Sequence, residues 1–268
     1  MSEDRPASAG LVGDGPATVV SYERPGMAED YRTWDDAACW VLGYPFVPVE
    51  LGLGPATGGR LLDLGCGPGD FTRWLVERYP VRTVAVDASP SMLELARRYN
   101  AHPSVEYRLG VEDRMPFLPD ACVDAAVCCF VFPGVSDRQR LDGLVAEVAR
   151  VVRPEGHFTV LVPHPHHADG VPFEGFLRGE RGACYADGDP LPVRVRRRDG
   201  TCAQITNTYW SMNAYRSALS RAGFTGIRER SPVLADADGV ADPALLTARP
   251  WRRERTTPPF LLLTAQRG

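Results

Sequence analysis

The stretch LLDLGCGPGD, residues 61–70, sets a short apolar run against three glycines and a proline, with Asp63 and Asp70 bracketing the turn. Glycine lets the backbone enter positive φ and lets a ligand approach without meeting a Cβ. A helix starting just after such a turn offers unpaired N–H groups to an anion. The stretch therefore asks for a strand, a tight turn and a helix, with a ligand against the bare backbone.

The surrounding pattern supplies that setting. Hydrophobic spacing and turn residues predict strands over 60–64, 83–87, 105–109, 123–132 and 157–162. Helices are predicted over 70–78, from the Ser89-Pro90-Ser91 start to Tyr99, and over 141–152, halted at Arg153-Pro154-Glu155-Gly156. Strands alternating with helices imply a doubly wound, mostly parallel α/β sheet. After Pro163 the pattern breaks. Residues 164–208 are rich in Gly, Pro and Arg with little periodicity, and read as an insertion or lid. A helix over 212–222 and two strands over 226–234 and 260–265, able to pair antiparallel, close the chain. The expected organisation is a tail over 1–18, aromatic-rich cap helices over 19–50, a core over 51–163 and 210–268, and a lid over 164–209.

At 268 residues the chain fits one elaborated domain. Its net charge of −4, with only short basic clusters at 194–198 and 252–255, gives no reason to expect nucleic acid. No apolar run long enough to span a membrane occurs, and the opening MSEDRPASAG has no apolar leader segment. The seven cysteines are odd in number and lack framework spacing, which suits reduced thiols in a cytoplasm. A monomer or homodimer is expected.

A G-x-G alone serves many ligands. Here the spacing is G-x-G-x-G with an acid two residues ahead, not the G-x-G-x-x-G of a dinucleotide pyrophosphate site. Asp63-Leu64-Gly65-Cys66-Gly67-Pro68-Gly69 resembles the first motif of class I S-adenosylmethionine-dependent methyltransferases. VAVDASPSMLELARR (84–98), MPFLPDACVDAAVCCFVF (115–132), EVARVVRPEGHFTVLVP (147–163), SMNAYRSALSRAGF (211–224) and PPFLLLTAQR (258–267) are similar to later segments of that family, in the right order. The resemblance implies a seven-stranded Rossmann-like sheet with an antiparallel last strand. It also implies S-adenosyl-L-methionine as cofactor and S-adenosyl-L-homocysteine as product. Asp63 would neighbour the cofactor's ammonium, beside the turn Gly65, Cys66, Gly67 and Gly69. Asp87, at the end of the second strand, would take the ribose diol, with Ala88 and Met92 near the adenine. The family often has an aspartate after the glycine of its third loop; here Gly110 is followed by Val111, so Glu112 or Asp113 is left for the adenine amino group. Cys129 and Phe130 fall beside the sulfonium position, and Tyr22 and Tyr31 of the cap are assigned to the cofactor as well.

For the acceptor, methyl transfer needs alignment and exclusion of water, with a general base where the nucleophile is a hydroxyl of high pKa. The tract His164-Pro165-His166-His167 follows the fifth strand, so His164 and His167 are the candidate bases. Metal binding is not expected, because adjacent His166 and His167 would point apart in extended chain and no acids show ligand spacing. Tyr209-Trp210-Ser211 stands where many relatives read H-R-T, which suggests an apolar acceptor pocket of Phe130, His164, Phe173, Tyr209 and Trp210. Trp34, Trp40, Phe176 and Tyr185 are candidates to complete it. The reading is methylation of a small, fairly apolar, secondary-metabolite-like acceptor, oxygen favoured over nitrogen or carbon. A cyclase or decarboxylase that keeps the cofactor without transferring its methyl, or a non-catalytic binding protein, are the alternatives. Isothermal titration tests the cofactor assignment: wild type binds S-adenosylmethionine and Asp87→Ala binds it more weakly, whereas unimpaired binding by the variant overturns the assignment.

Overall fold

The structure, a computed structural model, describes residues 26–111 and 113–268. The expected tail over 1–18 and the candidate residues Tyr22 and Glu112 lie outside that set. The described chain enters through three short helices, α1 (Met27–Tyr31), α2 (Ala37–Leu42) and α3 (Phe46–Glu50). It then forms β1 (Gly59–Leu64), α4 (Asp70–Arg78), β2 (Val81–Asp87), α5 (Pro90–Tyr99), β3 (Val105–Leu109), β4 (Val123–Cys129), α6 (Arg138–Val151) and β5 (Val152–Pro163). Three further strands follow, β6 (Phe176–Arg178), β7 (Pro190–Arg196) and β8 (Cys202–Thr208). The chain ends with α7 (Met212–Arg221), β9 (Phe224–Arg230), α8 (Pro243–Thr247) and β10 (Phe260–Arg267).

Seven strands make the main sheet, in the order β3-β2-β1-β4-β5-β10-β9. β10 pairs antiparallel with both β5 and β9, so the last strand of the chain runs against the other six. The strand order reverses between β1 and β4, and ligands bind outside the carboxyl ends of parallel strands at such a point. β1 is buried on both faces, and its alternation divides the core. Leu62 and Leu64 join the cluster of α6 and α7, while Leu61 packs with Phe71 and Leu75 of α4 and with α2. Asp63 shares Leu61's face.

Polar caps start the helices where the sequence offers them. Ser89 Oγ accepts from Met92 N at 3.3 Å with Pro90 opening α5, and Asp137 Oδ1 accepts from Arg140 N at 2.8 Å at α6. Ser211 Oγ accepts from Ala214 N at 3.1 Å at α7.

Several boundaries differ from expectation. β4 stops at Cys129 rather than running on to residue 132, because Phe130 takes a left-handed φ of 62° and turns the chain. Residues 164–208, expected to lack periodicity, contain the antiparallel sheet β6-β7-β8. Leu191, Val193 and Val195 alternate with Pro and Arg along β7, and Ala203 and Ile205 alternate along β8. The proline and arginine content masks this period in the sequence. Among the described residues no helix is long and apolar enough to cross a membrane.

One buried carboxylate ties α6 to the segment before β4. Glu147 accepts from Met115 N at 2.7 Å and from Arg150 Nη2 at 2.7 Å, and Arg150 Nη1 also donates to Leu118 O at 2.8 Å. The Arg150 bond holds the Glu147 carboxyl below its ordinary range. Glu147→Ala leaves a buried N–H without an acceptor and is expected to cost about 2–3 kcal/mol. Urea unfolding checks this as a lower midpoint at unchanged slope.

Candidate functional site

The turn between β1 and α4 is built from three left-handed glycines, Gly65 at φ 74°, Gly67 at 54° and Gly69 at 86°. Gly65 N and Cys66 N both donate to Val86 O, at 2.7 and 3.0 Å, so the turn is pinned to the end of β2. A Cβ on Gly65 would lie 2.0 Å from Val131 Cγ2, and one on Gly69 would lie 2.5 Å from Tyr107 Oη. One on Gly67 would meet no described atom within 4 Å. Gly65 and Gly69 are thus required by packing, and Gly67 presents bare backbone to open space.

Two aspartates flank this backbone. Asp87 accepts from Gly67 N through Oδ2 at 2.8 Å and from Ser89 N through Oδ1 at 2.8 Å. Asp63 lies beneath the turn, 1% exposed, with Oδ2 accepting from Thr72 Oγ1 at 2.5 Å. Its Oδ1 is buried and has no hydrogen-bond partner among the described residues. Burial pushes the Asp63 carboxyl up to about 7, the charge of Asp87 acts in the same direction, and the Thr72 bond opposes them. A buried carboxylate oxygen without a donor is costly, and a cationic ligand group supplies what it lacks. The turn, the aspartate pair and the orphan oxygen fit an amino-acid nucleoside with an ammonium group.

A cavity of about 630 Å³ opens from this turn. Gly65, Gly67, Asp87, Ala88 and Met92 line one end, with Tyr31 and Trp34 from α1 and the residues after it. Cys129 and Phe130 line it at the end of β4, and Val193, Val195, Ile205 and Thr206 of the second sheet form the far wall. Asp63, Cys66 and Gly69 sit behind the turn rather than on the wall. Asp113 lines the end near Gly110, and Arg140 grips its carboxylate through Nε–Oδ2 at 2.5 Å and Nη2–Oδ1 at 2.8 Å. Burial raises the Cys129 thiol well above its usual range, so it stands neutral. All described cysteines are free, and no group of described side chains is arranged to hold a metal ion.

The expected acceptor residues divide. Phe130 is on the wall, as is Phe176. His164, His167, Phe173, Tyr209 and Trp210 are not, and each has a packing reason. The His tract folds into a 3-10 turn, Pro165–His167, in which His164 Nδ1 accepts from His166 N at 3.3 Å and the His164 and His167 rings meet at 4.7 Å. Burial, with His167, His166 and Arg178 adding, lowers His164 to about 4, so it is neutral and turned into the protein. Phe173 stacks behind Phe176 at 5.2 Å, and Tyr209 stacks on Tyr185 at 6.0 Å. Trp210 is 3% exposed in the α6–α7 core, its indole N–H donating to Val135 O at 3.1 Å. Among the wall residues the sequence does not point to are Asp35, Asp36, Arg178 and the apolar row of β7 and β8. The alternation of β7 was the available signal.

Comparison with known proteins agrees with this geometry. Residues 61–156 match the family model described as a methyltransferase domain. N-demethylindolmycin N-methyltransferase of Streptomyces griseus is 32% identical over 234 residues, 86% of this chain and 98% of that protein. Trans-aconitate 2-methyltransferase of Azoarcus sp. (strain BH72) is 30% identical over 204 residues, 70% of this chain and 75% of that protein. Among solved structures, an S-adenosylmethionine-dependent methyltransferase from Mesorhizobium loti superposes with a TM-score of 0.57 at 24% identity, covering 83% of this chain and 98% of that one.

The raised Asp63 has a measurable consequence. A carboxyl raised above its unfolded value contributes stability that is full below the unfolded pKa and lost as pH rises through the folded pKa, here about 7. A ligand ammonium reverses that penalty by favouring the ionised form. Affinity for S-adenosylhomocysteine is therefore expected to rise about tenfold between pH 5.5 and 7. Titration calorimetry with Asp63→Asn should give weaker binding that no longer rises over this window.

Proposed function

Given that the chain belongs to the S-adenosylmethionine-dependent methyltransferases, we propose that it methylates a nitrogen of a small acceptor with a largely apolar body. S-adenosylmethionine is the cofactor, and when bound it supplies an electrophilic methyl on a cationic sulfur. Asp63, behind the turn, would act on its ammonium, the α4 amides after Gly69 on its carboxylate, Asp87 on its ribose and Met92 on its adenine, with Asp113 or Glu112 at the adenine end. Cys129 and Phe130 would lie between this end of the cavity and the acceptor.

The observation that carries the acceptor reading is the far wall. Val193, Val195, Ile205, Phe176 and Phe260 present an apolar surface, and Trp34 closes it from the cap. Such a wall excludes water and aligns an apolar body, which is most of what an in-line displacement asks of a protein. The choice of atom follows from the ionisable groups. Among the described residues no histidine lines the cavity. Asp35 is held by Arg196 at 2.8 Å and Arg249 at 3.0 Å, and Asp113 by Arg140. Asp36 accepts from Trp40 Nε1 at 2.8 Å and pairs with Arg198 at 3.3 Å. Among the described residues lining the cavity, a hydroxyl of high pKa would find no imidazole and no carboxylate without a donor already on it to take its proton, whereas an amine or ring nitrogen of modest basicity brings its own lone pair. The relation to a protein named as an N-methyltransferase supports nitrogen over the oxygen favoured by sequence alone.

Matched aryl-alkyl amines and alcohols, offered with methyl-labelled cofactor, test this. The amines are expected to gain one label per S-adenosylhomocysteine released. Labelling of the alcohols alone, or acceptor consumed without S-adenosylhomocysteine, overturns the reading. Val193→Asp, which puts a carboxylate into the apolar wall, should lower acceptor turnover at least tenfold while leaving S-adenosylhomocysteine affinity unchanged.

A further inference from the structure

Arg178 is the buried cation of this cavity. It lies on β6, is 4% exposed, and lines the wall. The register explains why. Phe176 pairs with Val195 and Arg178 with Val193 across β6 and β7, and cross-strand partners share a face. All four side chains therefore point into the acceptor half of the cavity, and three of them are apolar.

The guanidinium is under-used there. Nη1 donates to His164 O at 3.0 Å. Nε is buried without a hydrogen-bond partner, and among the described residues no carboxylate lies within ion-pair distance. Other well-buried arginines of this region are matched. Arg196 bonds Asp35 and Glu174, and Arg253 binds Asp169 at 2.6 Å. Asp169, whose charge reaches Arg178, is thus already engaged. Burial lowers Arg178 to about 10, which still leaves it a cation at neutral pH. Arginine does not escape the cost of burial by losing its proton, so an unmatched buried guanidinium is destabilising unless something supplies the anion. Binding sites retain such groups because the ligand completes them.

We propose that Arg178 binds a carboxylate of the acceptor, so that the substrate class is an apolar body carrying both the methylated atom and a carboxylate. This rests on the acceptor reading above and sharpens it. The apolar row of β7 and β8 would hold the body, and the Arg178 ion pair would set which end faces Cys129 and the cofactor. Arginine suits the task, because its planar fork of donors matches a carboxylate and holds it in one orientation.

Binding measured with S-adenosylhomocysteine present separates this from the reading it builds on. Aryl-alkanoates of increasing chain length, from phenylacetate to indole-3-butyrate, are titrated against their neutral amides. At least one carboxylate is expected to bind wild type ten times more tightly than its amide. Arg178→Met should abolish that preference and Arg178→Lys retain part of it. Equal binding of acid and amide, no binding of any carboxylate, or an intact preference in Arg178→Met overturns the proposal. So does a loss of S-adenosylhomocysteine affinity in Arg178→Met, which would assign the arginine to the cofactor. If wild type fails to bind S-adenosylhomocysteine, the methyltransferase site itself has failed. Thermal unfolding without ligand gives a second readout. A substrate-binding arginine held unmatched predicts that Arg178→Met melts higher than wild type and that acetate stabilises only wild type. A lower melting temperature for the variant, with no acetate effect on wild type, marks a structural role and overturns the proposal.

Discussion

The site depends on one carbonyl. Val86 O, at the end of β2, accepts from both Gly65 N and Cys66 N, and one residue later Asp87 accepts from Gly67 N. These bonds join the carboxyl ends of two neighbouring strands through the turn that follows the first. They need Gly65 and Gly67 at positive φ, and Val131 fills the space that a Gly65 side chain would take. The bare backbone, the mouth of α4 and both aspartates are therefore placed by the same few atoms. Asn100 extends the bracing, donating through Nδ2 to Pro68 O at 2.8 Å and to Asp70 Oδ1 at 3.0 Å.

The acceptor half is assembled differently, from pieces distant in sequence. α1 packs Ala28 against Met92 and Leu95 of α5, while Met27 and Trp34 pack against Val193, Ala203 and Ile205 of the second sheet. The cap thus touches both α5, beside the glycine-turn end of the cavity, and its far wall. Asp35 fastens the arrangement, with Arg196 from β7 and Arg249 from the loop before β10 converging on its carboxylate. Glu174 shares Arg196, and its backbone N–H donates to Glu254 Oε1, a buried carboxyl raised by that burial. Placing Asp35 in an ion-pair network on the wall gives it a structural task and removes it as a proton acceptor.

Much of the core is legible in the sequence. The apolar runs at 60–64 and 83–87, the cap at Ser89 and the stop near Gly156 are local signals, and the strands and helices lie within a few residues of them. The errors share a cause. β4 was read too long because Phe130 and Val131 are apolar, and nothing local marks the left-handed turn at Phe130. The second sheet was missed because prolines and arginines interrupt an alternation that is nonetheless present at Leu191, Val193 and Val195. Trp210 is expected in the pocket because it stands where many relatives read H-R-T, and the indole N–H bond to Val135 O holds it in the core.

By itself the sequence determined the bare turn and its flanking acids, and the family it resembles named the ligand held there. The spacing of Asp63, Gly65, Gly67 and Gly69 is a short-range property, since one strand, its turn and the helix after it bring those atoms together, and Asp87 joins them once β2 pairs beside β1. Which side chains line the far half of the cavity was decided only by tertiary structure. That wall joins α1, β4, β6, β7 and β8, and a residue's side of a strand depends on a register set by its partner. His164 looked available for chemistry in a polar tract, and packing made it neutral and turned it away. Arg178 is one arginine among many, and its pairing with Val193 puts into the wall a guanidinium with no ion-pair partner among the described residues.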